Sequence, residues 1–351
     1  MIKSHYNTVI IGAGPAGLAC ALTLLEQGVR DVLVAEKFAF PRDKCCAGYI
    51  TRKTEKEYKS YGLDPADCGY SYIKDFGLFF KMKRRQQIEN RFLFTSREIN
   101  RVALDDAFFR LARSRGAEIA ENMPVTAHDP EKNTVTLGRT HCVGYDNLVF
   151  ADGTMGFGSV YQRSASKRRN LAMQLIFNSD RPDSIEIHFG VTSRGYCWVS
   201  THNGVTNVGI TDEYRKAKNY KEVFKEYLND LGLDPDTSAL YSAFTPIGVR
   251  KPFIGGNIYF AGDAMGACDP FTLSGVYNGL MSGKAVARSI AASDPRIVKR
   301  YARALKVKFF FMRLIMKTFY VRWIRWLVFN VGCRFLSPAV RFFFNRFLNK
   351  K

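Results

Sequence analysis

The chain has no Asp or Glu after Asp294, although fifteen Lys and Arg lie between Arg296 and Lys351. Fifteen of its formal +20 charges therefore sit on the last segment, which excludes a surface that is basic all over, as a nucleic-acid coat requires. Cysteine is sparse for 351 residues: thiols at 20, 45, 46, 68, 142, 197, 268 and 333 have neither the density nor the spacing of a secreted disulfide framework. A reducing cytoplasm is expected. Five histidines are scattered, and no second C-x-x-C or H-x-x-x-H accompanies the adjacent Cys45 and Cys46, so no metal site is expected. Long apolar runs are missing too. The longest uncharged stretch of the tail, Trp326 to Cys333, is far below the roughly 20 apolar residues of a spanning helix. The N-terminal apolar run is too short for a secretory signal and turns straight into glycines, so neither a signal peptide nor a bilayer-crossing segment is expected.

What is present begins with "YNTVIIGAGPAGLACALTLLEQG", which reads as a buried strand ending at Gly12 and a helix from about Pro15 to Gln27. "DVLVAEK" is a second buried strand, as in a parallel βαβ unit. Gly12, Gly14 and Gly17 form G-x-G-x-x-G at that junction, with Glu36 nineteen residues after Gly17. The first glycine makes the turn, the second lets backbone N–H groups approach a pyrophosphate, and the third lets helix and strand pack. A carboxylate at Glu36 accepts from ribose hydroxyls and opposes a 2′-phosphate, which argues against NADP and leaves FAD or NAD.

Further on, a helix is expected from Asn100 to Arg115, and strands at about 117 to 127, 132 to 137 and 145 to 151. The stretches 70 to 95 and 170 to 212 alternate polar and apolar residues, which predicts an inserted antiparallel sheet. "NIYFAGD" and a helix from about Ser274 to Ala292 return the chain to the nucleotide domain. A helical, amphipathic tail follows, broken near Gly332 and Pro338.

"IYFAGDAMGACDPFTLSGVYNG", "YDNLVFADGT", "INRVALDDAFFRLARSRGAEI", "PRDKCCAGYIT" and "GYCWVSTHNGVTNVGITD" together resemble the geranylgeranyl reductase family of flavoproteins, built like para-hydroxybenzoate hydroxylase. The resemblance covers most of the first 290 residues. It implies an α/β fold: a discontinuous, Rossmann-like FAD-binding domain (1–70, 97–165, 250–294), an antiparallel-sheet substrate domain (71–96, 166–249) and C-terminal helices (295–351). FAD contacts are implied at Gly12, Ala13, Gly14, Pro15, Ala16, Gly17, Glu36, Lys37, Arg101, Val125, Gly262 and Asp263. Cys46, Ala47 and Gly48 would run along the flavin, with Gly275 and Val276 opening a helix toward its pyrimidine ring. Tyr196 and Trp198 would line the substrate cavity. The chain departs from the family at Ala47, at Val199-Ser200-Thr201 and at Leu273-Ser274.

The resemblance implies saturation of C=C bonds in a polyprenyl chain or similar hydrophobic substrate, with hydride from the flavin and a proton from Cys46, Tyr196 or a water. The alternatives are flavin-dependent hydroxylation of a hydrophobic substrate and a membrane-tethered electron carrier. With one dinucleotide fingerprint, the reductant is left open between transient NAD(P)H, ferredoxin and flavodoxin. For the adjacent thiols, simple packing, a strained dithiol and a place beside the flavin all stay open. The tail mixes Phe and Trp with Arg and Lys at helical spacing, which fits an anionic membrane surface better than nucleic acid. Such a protein sits on the inner face of the membrane; the same tail would otherwise be a helical pair packed on the core.

Overall fold

The computed structural model describes residues 2–89, 93–95, 100–162, 169–214, 219–234 and 239–332. Packing divides the chain into two compact units: Met1–Arg42, Val102–Lys167 and Pro246–Met312 in the first, Asp43–Arg101, Arg168–Thr245 and Arg313–Lys351 in the second. These boundaries differ from the sequence-based ones. Residues 43–70 pack with the second unit and 295–312 with the first.

In the first unit β1 (His5–Ile11) lies between β2 (Val32–Ala35) and β10 (His141–Phe150), parallel to both. The parallel sheet continues through β7 (Glu118–Ala120) beside β2 and β17 (Ile258–Phe260) beside β10. β16 (Phe253–Ile254) closes one edge, and β8 (Val125–Asp129) and β9 (Thr134–Leu137) fold antiparallel onto β10. β2 is buried along its whole length, which is why it reads as an unbroken Val-Leu run rather than an alternation. Around the sheet stand α1 (Pro15–Glu26), α3 (Val102–Ser114), α4 (Phe157–Tyr161), α6 (Gly262–Met265) and α7 (Val276–Ala291).

The single strand expected at 117 to 127 is two. Asn122 takes a left-handed φ of 59°, Met123 N–H donates to Glu36 O, and Pro124 has no N–H to give a ladder, so pairing stops between β7 and β8. β10 also begins earlier than expected, at His141, because pairing with β9 extends it.

The second unit is built on a seven-stranded sheet in the order β15 (Tyr241–Pro246), β11 (Arg169–Asn178), β14 (Val205–Glu213), β13 (Tyr196–His202), β12 (Ser184–Phe189), β4 (Asp75–Phe80), β5 (Lys83–Glu89). A small pair, β3 (Ile50–Thr51) and β6 (Leu93–Phe94), and the helices α2 (Arg52–Ser60) and α5 (Tyr220–Asp230) complete it. Period-two alternation sends Cys197, Val199, Val208 and Ile210 to one face, under Phe224, Tyr227 and Leu228 of α5. The opposite face carries Ile185, Phe189, Phe76, Leu78 and Phe80.

The tail forms α8 (Arg296–Phe319), α9 (Arg322–Leu327) and a π turn over Val328–Gly332. Val298, Ala302, Leu305 and Phe309 make a buried stripe at helical spacing, packed on the first unit's core. Farther along, Phe319 and Phe329 join the second unit's apolar cluster, the Phe329 ring stacking on Phe80 at 4.9 Å. The helix breaks earlier than expected, where Tyr320 Oη donates to Gly195 O at 3.0 Å and Val321 turns extended. Pro338 lies outside the described residues. Among the described residues no helix is long and apolar enough to cross a membrane.

Candidate active site

The first unit carries a candidate cofactor surface made largely from backbone. Gly12 has φ +103°, and a Cβ there would sit 2.7 Å from Ala151 O; at Gly17 a Cβ would sit 1.9 Å from Gly12 O. At Gly14 the space is open, with only Arg42 Nη2 at 3.7 Å. The N-terminus of α1 has Pro15 in its first turn, no acid there and no side-chain cap, so its N–H groups and dipole are left for an anion. Ala13 and Ala16 lie buried in this turn.

Glu36 ends β2 almost fully buried, its Oε2 accepting from Ala13 N–H at 2.9 Å and its Oε1 from Phe38 N–H at 3.2 Å. Arg42 Nε stands 3.6 Å from Oε2, a residue that sequence reasoning quoted but did not assign. Lys37 is exposed, its Nζ over the Phe38 ring, and Val125 opens β8 opposite Leu137.

Ala16 is where the late part of the chain meets α1. A Cβ on Gly262, which has φ +59°, would lie 2.9 Å from Ala16 Cβ, and one on Gly283 would lie 2.1 Å from Ala16 O. Gly262 N–H donates to Ser282 Oγ at 2.7 Å, fixing the turn from β17 into α6. Asp263 Oδ1 stands 3.3 Å from where a Gly275 Cβ would be, so the expected trio Asp263, Gly275 and Val276 is contiguous at the start of α7. That helix also begins with no side-chain cap and no acid in its first turn.

Asp152 is a further member that was quoted but unassigned. Its Oδ2 accepts from Gly158 N–H at 2.8 Å, while Oδ1 is buried with no hydrogen-bond partner among the described residues. Burial pushes this carboxyl up to about 6, against the opposing pull of the Gly158 N–H, Lys37 and Arg250. Burial likewise lowers the buried Arg250, and Asp263 and Asp152 hold it back. An open helix N-terminus, a glycine turn no Cβ could share and a buried acid at the end of β2 fit a dinucleotide cofactor of the FAD type.

The second unit carries a candidate surface of its own, made from side chains. Cys46 and Gly48 lie in the loop before β3, and the Cys46 carbonyl accepts from Asn207 Nδ2 at 3.4 Å. Asn207 Oδ1 in turn accepts from Trp198 Nε1 at 2.9 Å. The indole lies flat across β14 because Gly209 is there: a Cβ at that position would fall 2.0 Å from Trp198 Cζ2. Trp198 is 5% exposed, and the half-buried Tyr196 has its ring 6.3 Å from it. Ala47 is half-buried, and Arg101 is buried one residue before α3.

Cys45 is half-buried, and burial first, then Cys46 and Asp43, push its thiol up to about 12. It stays protonated. Both thiols are unlinked, and among the described residues no group of three or more His, Cys, Asp or Glu could hold a metal ion. Sequence reasoning missed Tyr49, Gln174, Ser200 and Asn207, which share the Trp198 side of the sheet or pack against it. Strand parity could have found the last three once β11 and β14 were paired with β13.

Residues 6–161 match the pyridine nucleotide-disulphide oxidoreductase family, the stretch holding the glycine turn, Glu36 and Asp152. A menaquinone reductase of Mycolicibacterium smegmatis is 28% identical over 315 residues, covering 82% of this chain and 76% of its own. A digeranylgeranylglycerophospholipid reductase of Methanocaldococcus jannaschii is 25% identical over 337 residues, covering 88% and 84%. The matched stretch and these relatives are those of FAD-dependent oxidoreductases. This oxidoreductase shares its fold with a geranylgeranyl bacteriochlorophyll reductase-like protein of Thermoplasma acidophilum (TM-score 0.73, 18% identity, 91% of this chain and 88% of that one). A flavin-dependent brominase has the same fold (TM-score 0.73, 21% identity, 96% and 92%). The fold thus accommodates more than one flavin chemistry.

Proposed function

We propose that this oxidoreductase saturates C=C bonds of a polyprenyl or similarly hydrophobic substrate at a membrane surface. The observation that carries the reading is the tie between the Cys46 loop and the Trp198 indole through Asn207, on the sheet face that also carries the apolar cluster of Ile185, Leu78 and Phe80. A flat, buried indole wall suits a long, methyl-branched run of isoprene units, and the relatives' names point to isoprenoid lipids.

FAD, when bound, supplies the hydride. Gly12, Ala13, Gly14, Pro15, Ala16 and Gly17 would hold its pyrophosphate, with Glu36 and Lys37 at the ribose, Val125 near the adenine, and Arg101, Gly262, Asp263, Gly275 and Val276 along the rest. Arg42, beside Gly14 and Glu36, joins that set. Cys46, Ala47 and Gly48 would border the ring, Trp198 would orient the chain, and Cys46 or Tyr196 would give the proton. The reductant would be transient NAD(P)H, ferredoxin or flavodoxin.

Trp323 and Trp326 are 67% and 54% exposed and, with Leu327, lie at i, i+3 and i+4 on α9. Exposed Lys317 and Arg322 accompany them, and no acid follows Asp294. This pattern supports docking on anionic lipid from the cytoplasmic side. Lipid extraction and mass analysis of the purified yellow protein test the reading: FAD together with an isoprenoid lipid is expected, and FAD with no isoprenoid after expression in a polyprenyl-rich host would contradict it.

A further inference from the structure

Among the buried polar atoms of the second unit that have no hydrogen-bond partner among the described residues are Ser200 Oγ, Gln174 Oε1 and Tyr49 Oη. Ser200 and Gln174 are 0% and 2% exposed. The register puts two of them on one face. Ser200 pairs with Asn207 and Trp198 with Gly209 across β13 and β14, while Gln174 pairs with the same Gly209 across β11 and β14. Residues paired across a sheet share a face, so Gln174, Trp198, Ser200 and Asn207 all point to the side that also carries Ile185 and Ile187. Tyr49 packs against that apolar cluster, and Ser200 lies close enough to draw its phenol down against the larger upward push of burial.

The neighbouring polar groups do not use these atoms. Trp198 Nε1 goes to Asn207, and Asn207 Nδ2 goes to the Cys46 carbonyl. Ser200 and the Tyr49 phenol are close enough to interact with each other, yet neither they nor Gln174 Oε1 have a partner at full hydrogen-bonding distance among the described residues; because buried hydroxyl and amide oxygens are nearly always well bonded in folded proteins, such a patch is complementary to something that brings its own hydrogen-bonding atoms. The central positions of the face hold no charge: they are Gln174, Asn207, Trp198, Ser200, Ile185 and Ile187. A neutral guest group suits these central positions, since a phosphate or carboxylate would be buried among them with no charged neighbour; Arg325, over the Phe80 ring, lies toward the other end of the cluster.

We propose that Ser200, Tyr49 and Gln174 form an oxygen-recognition patch that binds an uncharged hydroxyl or carbonyl of the hydrophobic substrate and thereby sets its position against the Trp198 wall. This rests on the proposed polyprenyl reading and narrows it to isoprenoids bearing a neutral oxygen function. Tyr49 and Ser200 can each donate or accept and Gln174 can do both through its amide, so an alcohol and a quinone carbonyl are equally matched.

The test titrates the FAD-loaded full chain with a polyprenyl alcohol and with the hydrocarbon of the same length, each in the same detergent, following the flavin spectrum. The alcohol is expected to bind on the order of tenfold tighter or more, because a site built for a hydroxyl leaves its own groups unpaired when the hydroxyl is missing. Ser200→Ala and Tyr49→Phe should each shrink that ratio while leaving hydrocarbon affinity and Tm unchanged or slightly raised. Loss of Tm with an unchanged ratio would mean a merely structural role and would overturn the proposal, as would equal binding of the two ligands by the parent. Binding and reduction of polyprenyl chains with no oxygen preference would sink the patch and spare the reductase reading. Failure to reduce any polyprenyl ligand, with the alcohol still preferred, would do the reverse.

Discussion

The two units make their functional surfaces from different materials. In the first, the decisive contacts are backbone: glycines at 12, 14 and 17, strand ends, and two helix N-termini with no side-chain caps. In the second, a face of side chains gathered from β11, β13 and β14 and from the Cys46 loop does the work, joined by hydrogen bonds such as Asn207 to Cys46 across 161 residues. Backbone geometry admits one solution and binds a constant ligand. Side chains on a sheet face can be exchanged one at a time, which is how related proteins of one fold come to act on different substrates.

The comparison breaks most readily at Gly17. Gly17→Ala places a Cβ 1.9 Å from Gly12 O, a clash with backbone that cannot yield, so a loss of about 3 kcal/mol or more and of the bound flavin is expected. Absorbance of flavin per mole of purified variant checks it. Full occupancy in Gly17→Ala would show that the turn is not built as described.

Asp152 sharpens the contrast, as a buried side chain of the first unit whose proton affinity is raised. Its folded-state value of about 6 lies above the ordinary 3.8, so the folded protein holds this proton more tightly than the unfolded chain does. The stability this gives is present below 3.8 and is lost as pH rises through about 6. Asn has no proton to lose and keeps an oxygen for the Gly158 N–H. Asp152→Asn should therefore gain on the parent between those limits, by about 3 kcal/mol at most, as read from melting curves across pH. A constant difference across the window would mean Asp152 is solvated.

On the other side, Gly209→Ala puts a methyl 2.0 Å from the Trp198 ring. The indole can swing away where backbone cannot, so a cost of about 1–3 kcal/mol, retained flavin and weakened lipid binding are expected. Equal loss of flavin and lipid would erase the distinction between the halves. Smallest is the tail. A double change, Trp323→Ser with Trp326→Ser, should lower partition onto mixed phosphatidylcholine and phosphatidylglycerol vesicles by about tenfold and leave flavin content alone. Co-sedimentation equal to the parent's would remove the docking role.

How much was readable in the chain follows the same division. The turn from β1 to α1, the acid closing β2, α3 and α7 are local patterns with fixed spacing, and the α/β flavoprotein fold follows from them. The break at Tyr320 carries no Gly or Pro; it is imposed by a hydrogen bond to Gly195, 125 residues away. The split between β7 and β8 turns on Asn122 and Pro124, a weak signal inside a stretch of strand-like residues. Ser200 and Gln174 look ordinary in sequence, because their interest lies in what they do not bond to, and only pairing of three strands reveals that. Trp198 could be read as core or cavity wall, and its near-complete burial beside a glycine shows why periodicity alone could not choose.

The most direct measurement mixes the FAD-loaded full chain, reduced beforehand and held without oxygen, with a polyprenyl alcohol, and follows the flavin spectrum together with the lipid mass. Return of the oxidised spectrum in step with a product heavier by two hydrogens for each flavin turned over is the predicted result. A flavin that stays reduced until air is admitted, and a lipid then recovered unchanged or carrying an added oxygen atom, would contradict it.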